Sequence, residues 1–472
     1  MPGKTFTLKT PLDASPQTVW DWHLRDGALP RLTPPWEHAR LLKYEGLQNG
    51  QKVVLEVKAP WKRKWVAVHR DYIDGLQFRD IQEQGPFAKW EHTHRVEPDS
   101  TTAGKTCVMH DHVQYQMPFW LLGEIAHVAF GRDKIEQMFA YRHDVLKRDL
   151  AEHQAAAEFT GGRPLTVAIT GASGLIGSDL SAFLTTGGHG VRPIKRFGSG
   201  GKKDGIGFQA NPLAGSDAVV HLAGEPIAQK WTPGAKRRIY ESRVQGTRQL
   251  CEALAGLERK PKVLVVASGV SVYGDRGDEL LAEHDAPRMD PKQSWKEGEK
   301  EHGFLAKVAH DWEAAAKPAA AAGIRVVHAR FGVVLHPRGG ALEKMLTPFS
   351  FGAGGKVGNG KQWWSWIGIH DAVSVLHRAI VDETIVGPIN ACTPQPVTNA
   401  QFAKVLGRTL GRPTLLPIPK FAVKLAFGQM GQEALLGSQR IDPTQLRRAG
   451  FTYRHEDLGA CLRAVLGKRG DV

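Results

Sequence analysis

The sequence predicts an α/β protein built on a doubly wound parallel (Rossmann) sheet, preceded by a smaller α+β domain of helix-grip type. Three observations predict it. Residues 165–177, Leu-Thr-Val-Ala-Ile-Thr-Gly-Ala-Ser-Gly-Leu-Ile-Gly, are an apolar, β-branched run that breaks at Gly171, with further glycines at 174 and 177. From residue 165 onward, strand-length apolar runs alternate with helix-length segments. Before residue 152 the texture differs: short alternating strands lead into one long amphipathic stretch.

A chain of 472 residues is too long for one core and points to two or three domains. Its apolar content of 42% and charged content of 23% are those of a soluble globular protein. The opening Met-Pro-Gly-Lys-Thr-Phe has no apolar signal segment, and no apolar run approaches membrane-spanning length. A cytoplasmic location without membrane insertion is therefore expected. Cys107, Cys251, Cys392 and Cys461 lie far apart, as reduced thiols do, with no spacing for zinc or redox work.

The net charge of +14 is unevenly spread: residues 1–152 hold 21 Lys/Arg against 20 Asp/Glu, leaving about +13 for the remainder. The basic residues are scattered and no nucleic-acid motif accompanies them, so nucleic acid is not expected as a partner. An anionic, phosphorylated small molecule accounts for part of the excess.

The first expected domain spans 1–152. Phe6-Thr7-Leu8 makes a strand, and Ser15-Pro16 caps a helix continuing through Val19-Trp20. Val53–Val57, Trp65–Val68 and Cys107–Met109 add strands, and 123–152 forms a long helix with Ile125, Val128, Ile135, Phe139, Val145 and Leu146 on one face. This order resembles the START-like helix-grip domains, which include polyketide cyclases and lipid-transfer proteins. The resemblance implies a curved sheet around a C-terminal helix with an apolar cavity between them. His92 and His94 alternate on one strand, as do His110 and His112, and residues at i and i+2 can share a metal. No Cys or carboxylate completes a ligand set in the sequence, so no metal site is expected.

Residues 153–164 read as a linker, and 165–397 as the dinucleotide-binding domain. Strands are expected at 165–170, 190–195, 206–209, 218–223, 262–268, 324–330 and 386–391. Helices are expected at 175–187, 235–256, 300–322 and 372–382. Residues 398–472 form a small helical module completing the substrate side.

In the opening glycine stretch, a strand turns tightly into a helix whose first amides and dipole hold a pyrophosphate. Gly171, Ser173, Gly174, Leu175, Ile176 and Gly177 are its candidate contacts. Lys195 and Arg196 end the second strand, and no Asp or Glu occurs between 180 and 203. An acidic residue there would grip the ribose hydroxyls of NAD; a basic pair neutralises a 2′-phosphate, so NADP(H) is the expected cofactor. The strand ending His221-Leu222-Ala223-Gly224 brings small residues where backbone approaches the cofactor. Ser268 and Tyr273, after the next strand, are candidate catalytic hydroxyls facing the nicotinamide.

These residues, with Ser242-Arg243-x-x-Gly-Thr247, resemble the extended short-chain dehydrogenase/reductases. Gly339–Phe349 and Gly354–Ile367 narrow the resemblance to an atypical NADP-binding subfamily, the "epimerase family", whose C-terminal module matches 398–467. That resemblance implies cofactor roles for Arg243 and Arg330. It also exposes a departure. Extended reductases use a Tyr-x-x-x-Lys pair, and none of the seven tyrosines here has a lysine four places on. Ser271, His310 and the pair His370-Asp371 are alternative hydroxyl or acid groups, and Trp363, Trp364 and Trp366 either wall a substrate site or pack in a core.

The expected function is an NADP(H)-dependent oxidoreductase acting on an apolar small molecule captured with the first domain's help. The alternative is a non-catalytic NADP(H)-binding regulator or hydrophobic-ligand carrier. Nucleotide-sugar epimerisation ranks behind both, because it needs the missing acid–base pair most directly.

Overall fold

A computed structural model describes residues 4–58, 61–117, 132–195, 212–285 and 303–468. The chain forms two compact units: Met1–Glu158 with Ala182–Gly188, and Phe159–Ser181 with His189–Val472.

The first unit contains β1 (Lys4–Leu12), α1 (Pro16–Leu24), α2 (Ala28–Leu32), β2 (Ala39–Tyr44), β3 (Lys52–Lys58), β4 (Lys62–Ile73), β5 (Gln77–Gln84), β6 (Lys89–Pro98), β7 (Cys107–Gln116) and α3 (Arg132–Thr160). The Ser15 hydroxyl caps α1 by accepting from the Thr18 N–H, with Pro16 in the first turn where its missing N–H costs nothing. The strands form one antiparallel sheet in the order β1-β7-β6-β5-β4-β3-β2. Alternation sets its inner face: even positions on β6 (Trp90, His92, His94, Val96) and odd positions on β7 (Met109, Asp111, Val113, Tyr115) are buried. Phe139, Val145, Leu146 and Leu150 of α3 are buried too.

Two expectations need correction here. Helix α3 runs to Thr160, so the first part of the expected linker 153–164 is helical and only its last residues leave regular structure. Its alanine-rich stretch Ala155-Ala156-Ala157 has high helix propensity and nothing to break it before Gly161-Gly162. The inner face is also not uniformly apolar. Register places Asp80 of β5 opposite His92, and Asp111 of β7 opposite His94. The carboxylates facing His92 and His94 are supplied across the sheet by the neighbouring strands.

The second unit begins with β8 (Thr166–Thr170), α4 (Leu175–Thr186), β9 (Gly190–Ile194), β10 (Ala218–His221), α5 (Pro233–Ala255) and β11 (Val263–Gly269). It continues with α6 (Phe304–Ala314), α7 (Lys317–Ala321), β12 (Arg325–Phe331), α8 (Gly340–Ser350), α9 (Ile369–Val381) and β13 (Gly387–Ala391). The six strands are all parallel, in the order β13-β12-β11-β10-β8-β9. The near-continuous apolar, buried runs of β8, β10 and β11 suit strands covered on both faces. Chain direction across the sheet reverses at β8, with β9 on one side and β10 on the other; ligands of such sheets bind beyond the carboxyl ends at that point.

The strand expected at 206–209 and the residue Arg196 lie outside the described residues. The helix expected over 300–322 is two helices in its described part, because Pro318 in the first turn of α7 cannot donate to a continuing helix. The C-terminal residues bring α10 (Asn399–Leu410), α11 (Lys420–Met430), α12 (Thr444–Arg448) and α13 (Leu458–Leu466). They do not bury a core of their own: Phe402, Leu406 and Leu462 share one cluster with Leu335, Trp364 and Trp366.

Candidate functional site

Each glycine of the β8–α4 turn has a separate steric reason. Gly171 sits at φ +72°, a left-handed conformation that a side chain strains. A Cβ there would lie 2.9 Å from the Ala223 nitrogen and 2.9 Å from the Leu222 carbonyl carbon, so the ends of β8 and β10 meet backbone to backbone. A Cβ on Gly177 would stand 2.2 Å from the Gly171 oxygen, which holds the first turn of α4 against the loop. Gly174 donates its N–H to the Gly171 carbonyl at 2.9 Å, closing the turn. Ser173 and Gly174 are exposed at its mouth, and Leu175 and Ile176 are half-buried behind it. This bare backbone at a helix N-terminus fits a pyrophosphate, which the first amides of α4 would hold.

The neighbouring strand end is tied to it. Thr170 Oγ1 lies 2.6 Å from His221 Nδ1 and accepts from the Ala223 N–H at 3.3 Å. Beyond the strand, the Glu225 N–H donates to Ser242 Oγ at 3.0 Å. Arg243 of α5 lies beneath this loop: Nη1 donates to the Glu225 carbonyl at 2.9 Å, and the guanidinium sits 5.1 Å from the Trp312 ring centre. It is buried, and a Cβ on Gly224 would come within 3.1 Å of it. Arg243 therefore shapes the Leu222–Gly224 loop from behind. Lys195 is exposed at the end of β9, on the side where the adenosine ribose of a bound dinucleotide lies in this fold.

Beyond β11 and β12 a second polar group gathers, assembled around a residue that sequence reasoning missed. Glu313 of α6 accepts from Ser268 Oγ at 2.8 Å and takes both prongs of Arg330, each at 2.9 Å. Arg330 Nη1 also donates to the Tyr273 hydroxyl at 2.7 Å, and that hydroxyl donates to Asn390 Oδ1 at 2.9 Å. Burial pushes the Glu313 carboxyl up, but the Arg330 hydrogen bonds and charge outweigh it and leave it below its ordinary value. Tyr273 is 0% exposed, and burial raises its phenol to about 12 despite the nearby Arg330 charge. Glu313 had a sequence signal: it lies four residues after Ala309 and three before Ala316, on the stripe α6 buries. Asn390, at the end of β13, had none.

The other candidates separate. His310 is half-exposed beside Asp311. Asp371 accepts from the Arg454 and His455 N–H groups at 2.6 and 3.3 Å, holding a C-terminal loop. Trp364 and Trp366 belong to the core, while Trp363 carries Arg440 over its ring at 4.5 Å and donates to Asp278 at 2.8 Å.

The fold of the second unit recurs in known proteins. The model of the NAD dependent epimerase/dehydratase family matches residues 167–390. An epimerase family protein of Mycobacterium tuberculosis is 40% identical over 303 residues, covering 63% of this chain and 96% of the relative. The chain belongs to the epimerase family. Human epimerase family protein SDR39U1, solved with NADPH, is 31% identical, with 64% of this chain and 99% of that one covered and a TM-score of 0.56. A nucleoside-diphosphate sugar epimerase structure from Corynebacterium glutamicum covers 98% of this chain and 90% of its own, at 35% identity and a TM-score of 0.77. The polyketide cyclase/dehydrase and lipid transport model matches residues 12–138, and a domain of unknown function matches 418–465. This epimerase-family chain is thus an NAD(P)-binding Rossmann protein with a polyketide-cyclase-like domain before it. Among the described residues, no helix is long and apolar enough to cross a membrane.

Proposed function

We propose that this epimerase-family chain binds NADP(H) and exchanges hydride between the nicotinamide and a carbonyl or hydroxyl carbon of an apolar small molecule. The single observation carrying the cofactor choice is Lys195, exposed where β9 ends and with no carboxylate between 180 and 203 to prefer a free ribose. The NADPH bound by human SDR39U1 agrees with it. Bound NADP(H) would supply hydride chemistry; the chain's own part is to cradle the pyrophosphate at Gly171–Gly177 and neutralise the 2′-phosphate.

The proton is a separate matter. On α6, the helix that carries the Tyr-x-x-x-Lys pair in extended reductases, Phe304, Ala306, Val308 and Ala309 are buried and apolar. Ser268 and Tyr273 are both committed to Glu313, Arg330 and Asn390. Among the described residues these two hydroxyls are thus engaged, and we take solvent as the proton source, which suits reduction of an electrophilic carbonyl and not sugar epimerisation, where one group must both remove and return a proton.

A second reading has its own support. A phenol that is 0% exposed cannot touch substrate, which favours an NADP(H)-binding regulator or ligand carrier without turnover. Purified full-length protein with NADPH and a panel of aldehydes, quinones and lipophilic ketones separates the two. The oxidoreductase reading expects loss of nicotinamide absorbance on at least one substrate, persisting in Ser268→Ala/Tyr273→Phe. Tight NADPH binding with no turnover on any of them favours the regulator.

A further inference from the structure

Within the first unit, four elements place a polar residue at one level between two apolar clusters. On β6, His92 and His94 stand between Trp90 and Val96; on β7, Asp111 stands between Val113 and Met109. On β5, Asp80 follows Phe78 by one inward position, and on α3, His143 lies between Phe139 and Leu146. A polar layer sealed above and below by hydrocarbon is costly unless its charges are matched.

The two carboxylates face opposite nitrogens of the same two rings. On one side, His92 Nε2 is hydrogen-bonded to Asp111 Oδ1 at 2.7 Å, while His94 Nδ1 lies 2.8 Å from the same oxygen outside hydrogen-bond geometry. On the other side, His92 Nδ1 and His94 Nε2 lie 3.3 and 3.5 Å from Asp80 Oδ1. Those are long for charge-assisted hydrogen bonds. They match the edges of a tetrahedron with metal bonds of about 2.0–2.1 Å, which are about 3.3–3.4 Å long.

We propose that Asp80 Oδ1, His92 Nδ1 and His94 Nε2 bind a divalent first-row transition-metal cation, with Asp111 as the outer carboxylate that orients His92 and lies beside His94. An imidazole whose far nitrogen faces a carboxylate is the usual companion of a metal-bound nitrogen. The remaining coordination position falls to water or a bound small molecule. His143, whose Nε2 meets Asp111 Oδ2, steadies the outer carboxylate from the helix. His110 and His112 face the other side of the sheet and take no part.

The test uses the full-length protein with Zn2+ and Co2+. The proposal expects one equivalent of zinc by elemental analysis, and visible Co2+ d–d absorption without a thiolate charge-transfer band. Asp111→Asn lowers Co2+ affinity about 10–100-fold, and Asp80→Asn lowers it further. His110→Ala with His112→Ala leaves it unchanged. X-ray absorption of zinc-loaded wild type, which needs no variant to fold, should show two imidazoles and no sulfur. Failure of wild type to bind either ion, a sulfur shell, or full Co2+ binding by folded Asp80→Asn would each overturn the site.

Discussion

Arg330 and Glu313 meet in a two-pronged ion pair, Nε to Oε1 and Nη2 to Oε2, both at 2.9 Å, with Arg330 only 5% exposed. The pair joins the end of β12 to α6 and organises Ser268 and Tyr273 around it. Removing one partner leaves the other buried and uncompensated. Glu313→Ala should therefore destabilise the second unit by about 3–5 kcal/mol, read by urea denaturation. A change under about 1 kcal/mol would mean that water reaches the pair.

The same pair sets an acid limit. Because the Glu313 carboxyl is held below its ordinary value when folded, its contribution is present above the unfolded value of about 4.3 and is lost as pH falls through the lower folded value. Stability measured from pH 6 down to 3 should fall less steeply in Glu313→Gln than in wild type. Parallel curves would remove Glu313 from the acid response.

His336 acts in a neighbouring window. Burial, helped by the Arg338 charge, lowers its imidazole to about 4. The unfolded chain takes up that proton near pH 6.5, so stability holds above that value and declines as pH drops from about 6.5 toward 4. His336→Gln should flatten this part of the profile in thermal melts. An unchanged slope would mean that the ring is charged in the folded protein.

How much of this was legible in the sequence depends on range. The glycine turn was, because a positive φ, a missing Cβ and a helix start are properties of seven adjacent residues. The ends of β8 through β11 and of β12 were, because apolar runs stop at polar or small residues such as His221 and Ser268. Glu313 carried a helical-stripe signal that went unread, and Asn390 and the carboxylates facing His92 and His94 carried none. Asp80 precedes His92 by twelve residues and Asp111 follows His94 by seventeen, and only the β5–β6 and β6–β7 registers bring them together. The burial of Arg243 and Arg330, both expected at the cofactor, was not legible either.

Packing at the turn gives a sharper prediction. A methyl at residue 177 must displace the Gly171 carbonyl 2.2 Å away, moving the loop that would hold the pyrophosphate. Gly177→Ala should cost about 1–3 kcal/mol in stability and weaken NADPH and NADH binding alike. Isothermal titration with both nucleotides checks it. Unchanged affinity for both would place the dinucleotide elsewhere.

Lys195 should behave oppositely, discriminating between nucleotides without supporting the fold. A hydrogen bond to a charged group contributes about 1.5–3 kcal/mol, and exposure places Lys195 toward the lower end, so Lys195→Ala should cost about tenfold in NADPH affinity. NADH affinity and the melting temperature should not move.

The most direct test of the central claim is a paired titration of the wild-type protein with NADPH and NADH at the same ionic strength. NADP(H) recognition by the turn and Lys195 predicts NADPH binding at least about tenfold tighter. Equal affinity, or tighter NADH binding, would contradict it.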